Sequence, residues 1–172
     1  MNFFMSAWFW YPIMAVAFLL TIIQVLRRGM RDDTVKMPRR IDTFNLPTAT
    51  PQEVFDWVAY NLLLQGRKSQ CARASGQFIC AYRGLNDTRC AAGHLIADVH
   101  YDERMEGKSF TQLTMLYPQF KNIEHLENLI SNLQMAHDTS EFHANSEINI
   151  WDELKRIAYI HHLDSSIVTA PV

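Results

Sequence analysis

The chain has 172 residues and a formal net charge of −2, from 16 basic and 18 acidic side chains. This length suits one modest domain with one appendage. The near-neutral charge provides no large basic surface, so nucleic acid is not an expected partner. The mean hydropathy of −0.12 is that of ordinary soluble sequence, although the N-terminal end is strongly apolar.

The first element is an uncharged apolar run at residues 3–26. About 20 residues in a helix cross a bilayer, and Trp8, Trp10 and Tyr11 lie toward one end, where aromatic rings favour the headgroups. A cleaved signal peptide is the alternative, but it needs basic residues before a shorter apolar core. Here the basic residues follow the run, and the sequence therefore predicts a transmembrane anchor at residues 1–27.

Basic residues directly after the run orient this predicted anchor. Arg27, Arg28 and Arg31 form its flank, and the positive-inside rule places such a flank in the cytoplasm. We therefore expect a single-pass inner-membrane protein with its N-terminus outside. Its expected partners are the lipid bilayer and other membrane protein subunits. In the reducing cytoplasm stable disulfides between the cysteines are not expected.

The remainder of the chain reads as a linker at 28–49 and a soluble helical domain at 50–172. Thr50 and Glu53 form a capping box that opens a helix ending at Gly66. Residues 78–97 predict a short β-hairpin or an irregular insert. Three further helices are expected, after Ser109, from Ile123 and around Trp151. The predicted fold class is thus mainly α, one transmembrane helix plus a small helical domain.

Three cysteines and one histidine form the first candidate site. Cys71, Cys80, Cys90 and His94 offer three thiolates and an imidazole, a possible tetrahedral zinc set. However, no CxxC pair is present, and such cysteines commonly pack as small hydrophobic residues. Cys90 is also a possible nucleophile, although nothing in the sequence enforces contact with a base. No cofactor is predicted, with zinc or another divalent metal kept as an alternative.

The second candidate site combines His94 with the dipeptide His137-Asp138 and with Asp152 or Asp164. An ordered set of histidines and aspartates on a helical scaffold is similar to the HD phosphohydrolases, whose metals activate water. The alternative is that Asp138 caps a turn and that His137 complements the C-terminal dipole of a helix. The adjacent His161 and His162 point to different faces, so they form a poor chelating pair.

The soluble part, from about Thr50 to Leu163, resembles a group of small proteins from bacteria and their phages that have no assigned activity. The matching segments read TPQEVFDWVAYNLLLQG, CAYRG, CAAGHLIAD, YDERMEG and LQMAHD, with Trp151 and Leu154 downstream. The resemblance covers about two thirds of the chain and implies one compact domain, without specifying any chemistry. Cys71 lies outside this pattern, and the predicted transmembrane helix departs from it.

From these features we expect a non-catalytic, membrane-anchored accessory or interaction subunit of a larger membrane protein assembly. The sequence contains no P-loop, no GxGxxG and no GxSxG motif that would indicate an enzyme. Two alternatives remain: a membrane-tethered, metal-dependent phosphohydrolase of HD type, and a phage-encoded factor that acts on a host membrane protein.

Overall fold

The computed structural model describes residues 37–72, 75–143 and 145–169. Within these ranges there are four α-helices and a two-stranded antiparallel sheet, joined by short 3-10 turns. The elements are α1 (Pro51–Gln65), β1 (Gln70–Ala72), β2 (Phe78–Cys80), α2 (Phe110–Leu116), α3 (Glu124–Thr139) and α4 (Ile150–Ile160). These elements are consistent with the helical character of the predicted domain.

The transmembrane part of the predicted fold class is not among these elements. No helix within the described ranges is long and apolar enough to cross a membrane. The longest, α3, has 16 residues, or about 24 Å at 1.5 Å per residue, and only one of its faces is buried. For the described residues the predicted class is therefore wrong, and the single-pass description and the inner-membrane location that depended on it are corrected with it. The predicted anchor and Arg27, Arg28 and Arg31 lie outside the described residues.

Helix α1 begins and ends where local chemistry predicts. The Thr50 side chain accepts a hydrogen bond from the Glu53 amide, and the Glu53 carboxylate accepts one from the Thr50 amide. Pro51 occupies the first helical position, and Gly66 ends the helix in the left-handed conformation at φ 64°, which glycine adopts without steric cost. The buried face then contributes five side chains to the core: Val54, Phe55, Val58, Ala59 and Leu62.

Helix α3 lies at the centre of the domain, because α1, α2 and α4 all pack against it. Its apolar residues recur at helical spacing and are fully or almost fully buried: Leu126, Leu129, Ile130, Leu133 and Ala136. Helix α4 is capped by the Asn149 side chain, which accepts from the Asp152 amide. Through this arrangement the last turn of α3, with His137 and Asp138, faces the sheet region.

The sheet forms earlier in the chain than predicted. Cys80 of β2 pairs with Gln70 of β1, so the first strand precedes residues 78–97, where the hairpin is predicted. After Cys80 the chain runs through short turns packed on the helices. At Gly93 a Cβ atom would lie 2.2 Å from the Tyr82 carbonyl oxygen. This position therefore requires glycine, because a side chain cannot fit against that backbone.

Residues 37–49, which fall within the predicted linker, contribute to the core of the described unit. Ile41 and Leu46 are completely buried, and Ala49 is nearly so. The Thr43 hydroxyl is 2.7 Å from Nδ1 of His100 and accepts a hydrogen bond from the Ala97 amide. This segment thus packs against the turns that follow β2.

Candidate ligand-binding cavity

A cavity of about 550 Å³ lies where the end of β2 meets α2 and α3. Four of the segments quoted above for the resemblance each contribute to its lining. They provide Cys80, Cys90, Glu106 and the pair Gln134 and Asp138. Cavities of this size commonly hold small ligands or single side chains, so this is the candidate site.

Asp138 is the charged group at the end of α3 in this cavity. Its Oδ1 accepts two hydrogen bonds, from Gln134 Nε2 at 2.8 Å and from His137 Nδ1 at 2.9 Å. Partial burial opposes ionisation, but the donors on His137 and Gln134 and the nearby Cys80 thiol outweigh it and lower the pKa of Asp138. The carboxylate is therefore ionised at neutral pH, while 38% of its side chain remains exposed.

His137 holds this carboxylate in place. Its side chain is completely buried, and Nε2 accepts a hydrogen bond of 2.9 Å from the Ser69 amide. An imidazole nitrogen that accepts a hydrogen bond carries no proton, so the proton of the neutral ring is on Nδ1. Nδ1 then donates to Asp138, and both ring nitrogens are occupied.

The two thiols of the cavity are protonated. Burial, followed by the neighbouring Asp138, raises the pKa of Cys80 to about 12. Burial likewise raises the pKa of Cys90, although its Sγ accepts a weak hydrogen bond of 3.4 Å from the Gly93 amide. Since the thiolate is the reactive form, neither cysteine is an activated nucleophile.

His94 belongs to a different part of the surface. It lines a second cavity of about 410 Å³ together with Trp57, Arg89 and Asp98. Its Nε2 is buried without a hydrogen-bond partner in the described structure. Burial, followed by the charge of Arg89, lowers the pKa of His94 to about 3. The predicted sets that join His94 to Cys90 or to His137 are therefore not assembled as one cluster.

One cluster of potential metal ligands is present in the described part of the chain. The ligand atoms of Cys80, His137 and Asp138 lie within 4.8 Å of one another, whereas Cys71, Cys90 and His94 are not members. A metal on Nδ1 of His137 would shift the ring proton to Nε2, where it would meet the Ser69 N–H. It would also have to displace the proton of Cys80. These residues fit a hydrogen-bonded cluster better than a zinc centre.

The other histidines and aspartates that the sequence suggested have structural partners. His161 Nε2 lies 3.0 Å from Asn132 Nδ2. The Asp152 amide binds the capping residue of α4, and the Asp164 carboxylate accepts from Ser166. None of these three joins the Cys80 cluster, so the histidine–aspartate set of a phosphohydrolase is not brought together.

Two residues of the site were missed by sequence reasoning. Glu106 accepts hydrogen bonds from the Tyr82 and Arg83 amides at 2.9 Å each. Gln134 links the Ala92 amide to Asp138. Gln134 and Asp138 are four residues apart on one helix face, and this spacing could have predicted their contact from the sequence. No sequence pattern predicts the contacts of Glu106.

No protein-family model, no curated protein and no solved structure matches this chain.

Proposed function

We propose that the domain is a non-catalytic binding module, an accessory subunit that recognises a partner protein through the cavity beside Asp138. The observation that carries this proposal is the orientation of the Asp138 carboxylate. Its Oδ1 accepts from Gln134 and His137, whereas no amide or imidazole among the described residues donates to Oδ2, and the Cys80 thiol is the remaining donor beside the carboxylate. An ionised carboxylate that is 38% exposed and lines a cavity is suited to recognition.

The state of the candidate catalytic groups supports binding rather than chemistry. A nucleophile needs a lowered pKa or a base in contact with it, but the pKa values of Cys80 and Cys90 are raised. An imidazole can act as a general base only if it has a free nitrogen within reach of a substrate. His137 has both nitrogens occupied, and the partly buried His94 lines a different cavity.

The metal-dependent phosphohydrolase gains no support from this geometry. Its chemistry needs histidines and aspartates that share metal ions, and His94, Asp152 and Asp164 are not part of the cluster that contains Asp138. The partner is also expected to be a protein rather than nucleic acid, because the net charge of −2 provides no excess of basic groups.

Site-specific photocross-linking of the full-length chain tests this proposal. A photoreactive residue at Thr111, an exposed position that lines the cavity, is compared with one at Tyr159, which is 82% exposed on α4 and does not line the cavity. We expect one discrete cross-linked product from Thr111 that is absent from Tyr159.

The dependence of this product on charge is the decisive part of the experiment. Asp138→Asn should abolish it, because the substitution removes the charge but keeps an oxygen for the His137 and Gln134 donors. Asp87→Asn is the matched control, since Asp87 is exposed and lies outside the cavity. A product that persists in Asp138→Asn, or that forms equally from Tyr159, would contradict the proposal.

A further inference from the structure

We infer that the group received by this cavity is a primary ammonium, the end of a lysine side chain of the partner protein. This inference rests on the proposed function and specifies its chemistry. It follows from the charge of the site, from the Asp138 oxygen that remains available as an acceptor, and from the polar and apolar side chains that line the cavity.

The cavity is lined by two carboxylates, those of Asp138 and Glu106, and by one ammonium, that of Lys108. The Glu106 carboxylate accepts from the Tyr82 and Arg83 amides and from the Tyr101 hydroxyl. Asp138 is ionised, the neighbouring thiols are protonated, and His137 is neutral because its Nε2 accepts from Ser69. No lysine or arginine within the described ranges forms an ion pair with Asp138. Lys68 pairs with Glu141 at 2.9 Å, and Lys108 donates to the Arg104 carbonyl. A half-buried carboxylate in this state favours a cation.

The hydrogen bonds already formed by Asp138 select among cations. A guanidinium binds a carboxylate best through both oxygens at once. Oδ1 already accepts from Gln134 and His137, which fills its two lone pairs. No amide or imidazole donates to Oδ2, which has only the weak Cys80 thiol donor nearby, and a single oxygen suits the compact ammonium better than the fork of an arginine.

Other groups that line the cavity can contact the remaining N–H donors and the methylene stem of a lysine side chain. An ammonium has three N–H donors, and the hydroxyl groups of Ser131 and Thr139 also line the cavity. Thr139 donates its own proton to the Met135 carbonyl, which leaves its oxygen as an acceptor. The apolar side chains of Phe110 and Met135 line the same space and can contact the methylene stem.

A divalent metal is the competing cation, and it suits the site less well. It would need Nδ1 of His137, which then places a proton on Nε2 against the Ser69 amide. An ammonium can bind without any change in the cluster, because it requires neither a change of the His137 tautomer nor a deprotonated thiol.

Methyl NMR on the full-length chain with labelled methionines tests this inference directly, with n-butylammonium as the probe. Met135 lines the cavity, and Met115, which is 77% exposed on α2 and does not line it, is an internal control. We expect a saturable shift of the Met135 methyl signal and none at Met115. The neutral 1-butanol should produce no saturable shift, and n-butylguanidinium should bind about tenfold more weakly, having lost one charge-assisted hydrogen bond.

Two substitutions complete the test. Asp138→Asn should remove the saturable shift, and Asp87→Asn should preserve it. The inference is overturned if n-butylammonium does not saturate, if guanidinium binds more tightly, or if Asp138→Asn has no effect. It is also overturned if Zn²⁺ alone shifts Met135 at one equivalent while the amine does not, a result that would assign a metal centre.

The outcomes also separate this inference from the proposed function. If cross-linking at Thr111 depends on Asp138 but the amine does not bind, the binding module stands and the ammonium chemistry fails. If the amine binds but no partner is cross-linked, the ammonium site stands for small free amines and the protein-binding function fails.

Discussion

At the scale of single residues, the chemistry of the site is decided by which atoms are already hydrogen-bonded. His137 is enclosed completely, with Nε2 bound by the Ser69 amide and Nδ1 by Asp138. The same dipeptide on an open surface would be a plausible ligand pair. Here the buried His137 ring keeps the tautomer that satisfies both of its neighbours. It thereby holds the Asp138 carboxylate in its position in the cavity.

We predict that His137→Ala destabilises the domain by about 3 kcal/mol, since it leaves a cavity and removes the only acceptor seen for the buried Ser69 N–H. Urea denaturation measures this difference. His143→Ala, at an exposed position, is the control and should change the free energy of unfolding by less than about 0.5 kcal/mol. Equal effects of the two substitutions would show that the Ser69 contact is unimportant for stability.

His94 predicts a pH dependence. Its pKa in the folded chain, about 3, lies below the ordinary value of 6.5. As the pH falls below 6.5 the unfolded chain therefore binds a proton that the folded chain does not, and stability declines until about pH 3. The slope contributed by this group is about 1.4 kcal/mol per pH unit.

The variant His94→Gln should lose that part of the slope, so its free energy of unfolding should vary less with pH than that of the unmodified chain. Denaturation series at several pH values between 6.5 and 3 measure the difference. Parallel curves for the two proteins would contradict the burial of a neutral imidazole.

At the scale of elements, the helices are determined mainly by interactions within a few residues. The capping boxes at Thr50 and Ser109 are both formed, with reciprocal hydrogen bonds to Glu53 and Gln112. A cap acts over only three residues, and the sequence accordingly predicts a helix start at both positions. The sequence did not predict strand β1, because a stretch of three residues carries too little pattern to distinguish a strand from a loop.

We expect Thr50→Ala to reduce the free energy of unfolding by about 1 kcal/mol, because one amide at the start of α1 loses its acceptor. Thr114→Ala is a suitable comparison, since Thr114 lies within α2 and its hydroxyl only donates to the Thr111 carbonyl. Thermal and urea denaturation of both variants give the measurement. A loss for Thr114→Ala as large as that for Thr50→Ala would argue against the capping contribution.

At the scale of the whole described unit, the turns after β2 are held against the helices by close backbone packing. Gly93 lies against the Tyr82 carbonyl, and Arg83 donates to the carbonyl oxygens of Gly93 and Ile96. Glu106 accepts from the Tyr82 and Arg83 amides. These contacts bring Cys80, Cys90 and Glu106 to one cavity although no helix or sheet connects them.

Gly93→Ala should therefore destabilise the domain by about 3 kcal/mol, because the new Cβ would lie 2.2 Å from the Tyr82 carbonyl oxygen and the backbone would have to move. The urea midpoint measures the loss, and the Met135 methyl signal reports whether the cavity is disturbed. A variant with wild-type stability would show that the turn has room that the structure does not provide.

The sequence predicted several residues of the site but did not predict which of them lie together. Cys80, Cys90, His137 and Asp138 were all singled out by their chemistry, yet their grouping was misjudged. The zinc set joined Cys90 to His94 because they are close in sequence. In the structure His94 lines a separate cavity, since successive residues of a tight turn point in different directions.

By itself, the sequence determined the helices of the described unit and the residue types able to carry chemistry, because caps, helical periodicity and side-chain functional groups are local properties. The tertiary structure alone decided which of those groups meet. The hydrogen bond from Ser69 to His137 joins residues 68 positions apart, and it sets the tautomer in which His137 donates to Asp138. Such a contact depends on how the whole chain packs, and no short pattern of residues encodes it.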